Sequence, residues 1–249
     1  MTDPTPPRTT GAGPVHRPAA PDADAADLDM RRYYAERARE YDRIYAKPER
    51  QPDLRAIERW LPGVLAGRRV LELACGTGYW TRVIAPAAAS TVALDAAAET
   101  LSIARAREGC GGVRFVVGDA YRLPFAPARF DAAFAGFWYS HVPRARVDAF
   151  LRGLHRVLVP GARVVLLDNR YVPGSSTPVG APDEQGDTWQ RRVLDDGSVH
   201  RVLKNFPDDD TLRGALDGLA TDLRPVRWAH YWALAYSVGP TRATKGAAT

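Results

Sequence analysis

A nine-residue segment at 70–78, Val-Leu-Glu-Leu-Ala-Cys-Gly-Thr-Gly, constrains the fold of this chain more than any other feature. Its first half is an apolar run typical of a strand buried on both faces. Gly76 and Gly78 lack a Cβ atom, so the backbone can turn sharply after the strand and approach a ligand closely. A helix is expected from about Tyr79, and its N-terminus offers unpaired N–H groups. The segment therefore predicts a strand, a tight turn and a helix, with a ligand site at the turn.

Further strands and helices alternate after this unit. Strand candidates lie at 69–73, 91–95, 113–117, 130–135 and 163–168, and helical segments at about 79–87, 97–107 and 144–158 separate most of them. Alternation at this spacing predicts an α/β fold with a doubly wound, mostly parallel sheet covered by helices on both faces. A helix at about 209–219 and strands at 223–229 and 231–238 follow, so we expect an antiparallel strand at the C-terminal side.

The remaining segments complete the predicted organisation. Residues 1–28 are rich in Pro, Ala, Thr and Asp without an apolar period, which predicts a disordered tail. Residues 29–46 carry tyrosines at helical spacing and predict an amphipathic helix, and 53–61 is predicted as a second helix capped by Asp53, so we expect 29–61 to form a helical cap. An alternating segment with a turn at 195–198 predicts a hairpin insertion at 186–204. We therefore expect one domain over 29–249.

Composition excludes several classes of protein. With 45% hydrophobic and 25% charged residues, the chain resembles ordinary globular proteins. No run approaches the ~20 apolar residues of a membrane-spanning helix, and a secretory signal is not expected. Only Cys75 and Cys110 could form a disulfide, and we expect reduced thiols in a cytoplasmic protein. The net charge of +5 comes from arginines scattered along the chain, which we interpret as a solvated surface rather than a nucleic-acid interface.

Two carboxylates follow the next two predicted strands. Asp95 ends the second strand, and Asp119 follows the third. A carboxylate at the first position can accept hydrogen bonds from a ribose diol held over the glycine turn, and one at the second from an amine such as adenine N6. Taken singly, each residue is better explained as a helix cap or a turn residue. The glycine turn and both acids at successive strand ends together predict a nucleoside site.

Residues 70–136 resemble the class I, Rossmann-like S-adenosylmethionine-dependent methyltransferases of the small-molecule type. The resemblance is carried by the motif ELACGTG, the acid of VALD, the block GDAYRLPF and the strand FDAAFAG, and LHRVLVPGARVVLLDN continues it. It covers about residues 30–238. It implies that S-adenosylmethionine is the cofactor and that a methyl group passes to a small-molecule acceptor, with O- or N-methylation favoured over C-methylation. The acceptor itself is not specified by these motifs.

The same resemblance implies a set of cofactor-binding residues. They are Tyr34 and Arg37 in the cap, Glu72, Ala74, Cys75, Gly76 and Gly78 at the turn, Asp95 at the ribose, Asp119 and Ala120 at the adenine, and Gly136 at the methionine ammonium. Because Ala74 replaces the first glycine of the family, we expect a negative φ there.

One histidine lies close to the expected methyl position. His141 follows the aromatic segment 137–139 and is a candidate general base, and a purely structural role is the alternative. Asp168 and Asn169 resemble the metal pair of catechol-type O-methyltransferases, but the further carboxylate that such a site needs after the fourth strand is missing. We therefore predict no metal.

Other functions remain open at this stage. An NAD(P)-dependent oxidoreductase also uses a glycine turn and a following acid, but its fingerprint has Gly or Ala where this chain has Thr81. A non-catalytic regulator that binds the cofactor is a second alternative. A nucleic-acid methyltransferase is disfavoured by the absence of an Asn/Asp-Pro-Pro-aromatic motif, so neither nucleic acid nor membrane is an expected partner. The oligomeric state is left open.

Overall fold

Seven strands form one sheet at the centre of the protein. The computed structural model describes residues 30, 32–38 and 40–240, so the tail predicted at 1–28 lies outside the described residues. The strands of the sheet are β1 (Arg69–Leu73), β2 (Ser90–Asp95), β3 (Arg114–Val117), β4 (Phe130–Gly136), β5 (Leu158–Asn169), β8 (Ala220–Arg227) and β9 (Tyr231–Val238). Their order is β3-β2-β1-β4-β5-β9-β8.

Strands β1 to β5 are mutually parallel, and β9 is antiparallel to both β5 and β8. This is the predicted doubly wound, mostly parallel sheet with an antiparallel strand at its C-terminal side. The central strands are apolar because helices cover both faces. In β1, Val70 packs into the cluster on one face, and Leu71 and Leu73 pack into the cluster on the other.

Five α-helices whose bounds lie within residues 40–240 connect or cover the strands. They are α1 (Gln51–Leu65), α2 (Thr81–Ile84), α3 (Ala98–Ala106), α4 (Val147–Arg156) and α5 (Asp209–Leu216). Short 3₁₀ segments lie at Tyr41–Tyr45, Pro48–Arg50, Tyr139–His141 and Arg144–Arg146. Asp208 accepts a hydrogen bond from the backbone of Thr211 and so caps α5. None of the helices described is long and apolar enough to cross a membrane.

The prediction of one continuous helix over 29–46 is wrong. Residues 32–36 are helical, turns follow, and Tyr41–Tyr45 is a 3₁₀ helix. Tertiary packing explains the break: the ring of Tyr45 stacks on that of Tyr79 with centroids 3.6 Å apart, and Tyr41 lies over the glycine turn. Aromatic contacts with the turn therefore outweigh the regular helical spacing of the tyrosines.

Helix α1 is longer than the predicted 53–61, and Asp53 does not cap it. Its carboxylate instead accepts hydrogen bonds from the backbone nitrogen and Nδ1 of His230, at 2.7 and 3.1 Å. The helix continues past Pro62 because Leu61 and Leu65 are both fully buried in the core. Core packing thus stabilises a last turn that lacks one backbone hydrogen bond.

A separate two-stranded hairpin precedes α5. Strands β6 (Trp189–Val193) and β7 (Val199–Leu203) are antiparallel, and their turn falls at the Asp-Asp-Gly-Ser segment singled out in the sequence. Lys204 and Asn205 directly after β7 are buried against the main sheet. The hairpin is therefore joined to the carboxyl edge of the sheet, where the predicted site lies.

Candidate functional site

The carboxyl ends of β1, β2 and β4 surround one cavity, which we call the strand-end cavity. Parallel strands bring these ends to the same edge of the sheet, and a ligand site is expected there. The predicted site residues that line it are Tyr34, Ala74, Gly76, Asp95, Asp119, Ala120, Gly136 and His141. The sequence motifs at the three strand ends and after β3 therefore do converge in space.

The backbone after β1 is more strained than the sequence predicts. Ala74 adopts φ +49°, so the expectation of a negative φ is wrong. The chain must turn immediately after β1, and Ala74 takes the left-handed conformation that favours glycine, at a cost of roughly 1–2 kcal/mol. Gly76 and Gly78 follow with φ +55° and +78°. These three left-handed residues shape the turn that borders the cavity.

Asp95 connects the glycine turn to helix α3. Its Oδ2 accepts a hydrogen bond from the backbone nitrogen of Gly76 at 2.8 Å. Its Oδ1 accepts from the nitrogen of Ala97 at 2.9 Å and from Oγ1 of Thr100 at 3.0 Å. A carboxylate offers about four acceptor positions, so one on Oδ2 is left for a ligand. Asp95 therefore holds the turn and also faces the cavity.

Two glycines keep the cavity open. A Cβ atom at Gly136 would lie 2.8 Å from a ring carbon of Phe134 and 3.1 Å from one of Trp80. At Gly118 it would lie 2.8 Å from Leu94. Neither position accepts a side chain without movement of its neighbours, so the backbone itself forms this part of the wall.

Four predicted cofactor residues do not line the strand-end cavity in the described structure. Glu72 and Cys75 are buried beneath the turn, Gly78 packs against Ala104 of α3, and Arg37 lines a neighbouring cavity. Burial raises the pKa of Glu72 to about 8. Among the described residues, its Oε2 has no hydrogen-bond partner.

A second cavity of about 390 Å³ adjoins the first. We call it the cationic cavity because, among the described residues, seven basic side chains and two carboxylates line it. Its basic residues are Arg37, Arg43, Lys47, Arg50, Arg191, Arg192 and Lys204. They come from the segment before α1 and from the hairpin. The interpretation of the arginines as a scattered, solvated set is therefore wrong for this group, because the fold gathers them around one space.

Four side chains line both cavities and form what we call the shared wall. They are Tyr34, Tyr41, Phe137 and His141. Phe137 adopts φ +58° and its nitrogen donates to the carbonyl of Leu167 at 2.7 Å. The bend at Phe137 directs the chain away from β4. The shared wall is the place where ligands in the two cavities would meet.

His141 is fully engaged in hydrogen bonds. Its Nδ1 lies 2.6 Å from the carbonyl oxygen of Leu203, which can only accept, so Nδ1 carries the proton. Its Nε2 lies 2.9 Å from the hydroxyl of Tyr34 and accepts from it. Burial first, and then the charges of Lys204 and Arg192, lower the pKa of His141 well below its usual value. The imidazole is therefore neutral at pH 7. Burial raises the pKa of Tyr34 to about 12.

An ion pair fastens the hairpin to the end of β5. The ammonium of Lys204 lies 2.8 Å from Oδ1 of Asp168 and donates to Oγ of Ser140 at 2.6 Å, and the pair is buried. Burial alone would raise the pKa of Asp168, but the charge of Lys204 and the hydrogen bond that it donates hold that pKa below the usual range. Lys204 therefore neutralises Asp168, and this ion pair gives the carboxylate at the end of β5 a structural role.

Sequence reasoning missed Arg50, Lys47, Arg192 and Lys204 as site residues. The hairpin carries a usable signal, since basic residues recur on it around a central turn. The segment Pro48–Arg50 carries none, because nothing local distinguishes Arg50 from a surface arginine. Only the fold brings it beside Asn169 and Ser175, more than 100 residues away along the chain.

Comparison with known proteins gives matches to one kind of protein. Residues 70–161 match the family model described as a methyltransferase domain. The 2-phytyl-1,4-naphtoquinone methyltransferase of Thermosynechococcus vestitus is 38% identical over 106 residues, 41% of this chain and 46% of that protein. The ubiquinone/menaquinone biosynthesis C-methyltransferase UbiE of Pseudomonas paraeruginosa is 31% identical over 172 residues, 63% of this chain and 66% of that protein.

A solved structure resembles nearly the whole chain. The DhpI–SAH complex superposes with a TM-score of 0.72 at 28% identity, and the match covers 88% of this chain and 100% of that one. The chain spans less than half the length of the first curated relatives that it matches, such as the Thermosynechococcus protein at 46%.

Proposed function

From the premise that this chain carries a class I S-adenosylmethionine-dependent methyltransferase domain, we propose that it transfers a methyl group to a small-molecule acceptor. The single observation that supports this most is the convergence of the glycine turn, Asp95 and Asp119 on the strand-end cavity. The sulfonium cofactor supplies an activated methyl group when bound. What the protein must add is alignment of the acceptor and exclusion of water.

We assign the cofactor to the strand-end cavity. The residues present fit a nucleoside with a methionine tail: Asp95 keeps an acceptor position for the ribose, and Asp119 with Ala120 borders the adenine position. The bare backbone at Gly136 gives space for the methionine portion. The unpartnered buried Oε2 of Glu72, within the described residues, offers one more polar group below the turn.

The acceptor then occupies the cationic cavity, with its receiving atom at the shared wall. Tyr34, Tyr41 and Phe137 surround the point where the two ligands meet and keep water away from it. We propose an oxygen or nitrogen as the receiving atom, because the cationic cavity presents mostly polar and charged groups that orient heteroatoms. Carbon methylation, which the name of the Pseudomonas relative prints, is the alternative.

His141 is the candidate base, and it acts through Tyr34. The imidazole is neutral, but the Tyr34 hydroxyl occupies its Nε2. A proton leaving the acceptor can therefore reach His141 by transfer to the Tyr34 oxygen, while the Tyr34 proton passes to Nε2. The same two residues also fix the position of the shared wall, so a structural role for His141 remains the competing explanation.

Binding and transfer are tested in two steps. Calorimetric titration with S-adenosylhomocysteine should show one site per chain, and NAD should not bind. Labelled-methyl transfer from S-adenosylmethionine into fractionated metabolite extracts should then label a small molecule. Binding without transfer into any extract would favour a non-catalytic regulator, and binding of NAD alone would favour an oxidoreductase.

A further inference from the structure

The cationic cavity contains far more positive charge than its own residues neutralise. We propose, resting on the function proposed above, that the acceptor is a small oxyanion, such as a phosphate or a carboxylate compound. It would be held between two pairs of basic side chains. The first pair is Lys47 with Arg50, and the second is Arg37 with Arg192.

The two carboxylates described in the cavity lining already lie beside one arginine of that lining, Arg43. Asp195 forms an ion pair with the exposed Arg43 at 2.6 Å, and Glu40 lies 3.7 Å from the same guanidinium. Lys204 is neutralised by Asp168 behind the wall. Within the described residues, neither pair of basic side chains has a carboxylate within ion-pair distance. The exposed Glu49 reaches the first pair only through the hydroxyl of Ser175, which donates to its carboxylate at 2.7 Å, so a direct ionic contact to either pair is left for a ligand.

The first pair converges on one neutral oxygen. The Nζ of Lys47 donates to the carbonyl of Ser175 at 2.6 Å, and the Nη2 of Arg50 donates to the same oxygen at 3.1 Å. Arg50 also donates to the hydroxyl of Ser175 and to the side-chain oxygen of Asn169, which are both uncharged. Arg50 is only 8% exposed. Burial, followed by the charge of Arg50, lowers the pKa of Lys47.

The second pair, which lines the same cavity, repeats this arrangement on a different acceptor. The Nη1 of Arg37 donates to the hydroxyl of Tyr33 at 2.8 Å, and the Nη1 of Arg192 lies 3.4 Å from the same oxygen. The other donors of Arg192 meet the side-chain oxygen of Gln190. Tyr33 is almost fully buried. Two like charges are again held together by one neutral acceptor.

Such pairs are unfavourable unless an anion lies between them. Withdrawing a cation from water is costly without an opposite charge, and two cations that share one acceptor repel each other. Guanidinium groups are also the side chains best suited to bind oxyanions through two parallel hydrogen bonds. An oxyanion in the cavity removes the repulsion within both pairs. A cavity of about 390 Å³ has the size of a small-molecule site rather than of a polymer groove.

The positive charge of the cationic cavity does not suit an uncharged quinone ring. The names of the curated relatives refer to naphthoquinone and to ubiquinone or menaquinone. A quinone in this cavity would remove water from four cations that form no direct ion pair within the described residues, and it would return no opposite charge. The cavity therefore disfavours such an acceptor even though these proteins match the chain in sequence.

The experiment measures anion binding to the full chain loaded with S-adenosylhomocysteine. Inorganic phosphate and acetate are titrated calorimetrically into wild type, Arg50→Gln and Arg192→Gln, with Arg152→Gln on the exposed face of α4 as the matched control. Each cavity variant should bind the anions about tenfold more weakly, the effect of one lost charge-assisted hydrogen bond. The control should bind as wild type does. Lys47→Gln replaces Arg50→Gln if that variant fails to fold.

A labelled-methyl assay completes the test with matched acceptor sets, one phosphorylated, one carboxylated and one of neutral quinols. Preferential labelling of either anionic set supports the proposal and identifies the oxyanion. Equal anion binding by all variants, absence of anion binding, or preferential labelling of quinols would overturn it. If S-adenosylhomocysteine does not bind, the proposed function fails. Anion binding to the free protein that depends on Arg50 and Arg192 would then still support the anion site.

Discussion

The strand-end cavity and the cationic cavity differ in how their walls are assembled. The first is built where parallel strands end, so neighbouring strands place its residues automatically on one edge. The second is built by the segment before α1, the loop at 175–177 and the hairpin, which have no regular pairing with one another. A site that strand pairing positions should therefore tolerate sequence change. A site that individual side-chain contacts position should depend on a small number of those contacts.

The largest effect is expected from breaking the contact that fastens the hairpin to the sheet. Lys204→Met leaves Asp168 buried without its partner, which should lower the free energy of unfolding by about 3–5 kcal/mol. Urea unfolding measures the change, and Arg152→Met, which breaks the exposed pair with Asp148, is the control and should change stability by less than about 1 kcal/mol. Equal losses of stability in the two variants would show that the Lys204–Asp168 ion pair is not what holds the hairpin, and with it one wall of the cationic cavity, against the sheet.

The next largest effect is expected in the strand-end cavity. Asp95→Ala removes the carboxylate that holds the Gly76 nitrogen and faces the proposed ribose, so affinity for S-adenosylhomocysteine should fall about 100-fold. Calorimetry measures the fall. Asp131→Ala is the matched control, because Asp131 also accepts from a backbone nitrogen, that of Arg69, at the opposite end of the sheet. Unchanged affinity in Asp95→Ala would refute the assigned cofactor site.

A smaller effect is expected at the shared wall. Tyr34→Phe removes the hydroxyl that bonds to His141, and turnover with saturating acceptor should fall about tenfold while S-adenosylhomocysteine affinity stays unchanged. Tyr236→Phe is a close control, since the hydroxyl of Tyr236 lies 2.9 Å from Nε2 of His155, far from both cavities. If both variants lose turnover equally, the Tyr34–His141 contact has no special part in transfer.

The smallest effect is expected in the pH dependence of stability, to which His141 and His155 both contribute. Burial lowers the pKa of His155 to about 4, and His141 is lowered in the same direction, so both stay neutral in the folded state. The unfolded chain takes up protons near pH 6.5, so stability falls as the pH drops below that value. His155→Gln should reduce the loss between pH 7 and pH 6 by less than about 1 kcal/mol. A loss that is identical in the variant would contradict the neutral state of His155.

Much of the sheet could be predicted from the sequence. Strand β1 was expected at 69–73 and occupies Arg69–Leu73, and β2 and β3 each begin one residue away from the expected start. Buried parallel strands are apolar throughout and are bounded by turns, so their signal is local. Asp95 and Asp119 could be placed for the same reason, because Asp95 is the last residue of β2 and Asp119 lies two residues after the end of β3.

The parts that the sequence did not predict depend on distant contacts. The cap helix breaks because Tyr45 stacks on Tyr79, and Asp53 serves His230 rather than its own helix. Ala74 adopts a left-handed conformation because the chain has to turn there, a demand that composition does not reveal. Arg50 becomes a site residue only through Ser175 and Asn169. Each of these outcomes depends on a neighbour that is remote along the chain.

The shared wall has a consequence for the order and strength of binding. Since Tyr34, Tyr41, Phe137 and His141 touch both cavities, a ligand that fixes these side chains in one cavity prepares the surface of the other. Thermodynamic linkage then requires reciprocity. The factor by which a bound acceptor raises the affinity for the cofactor must equal the factor by which a bound cofactor raises the affinity for the acceptor. The two compartments of this protein should therefore behave as one cooperative binding unit, with the aromatic partition as its coupling element.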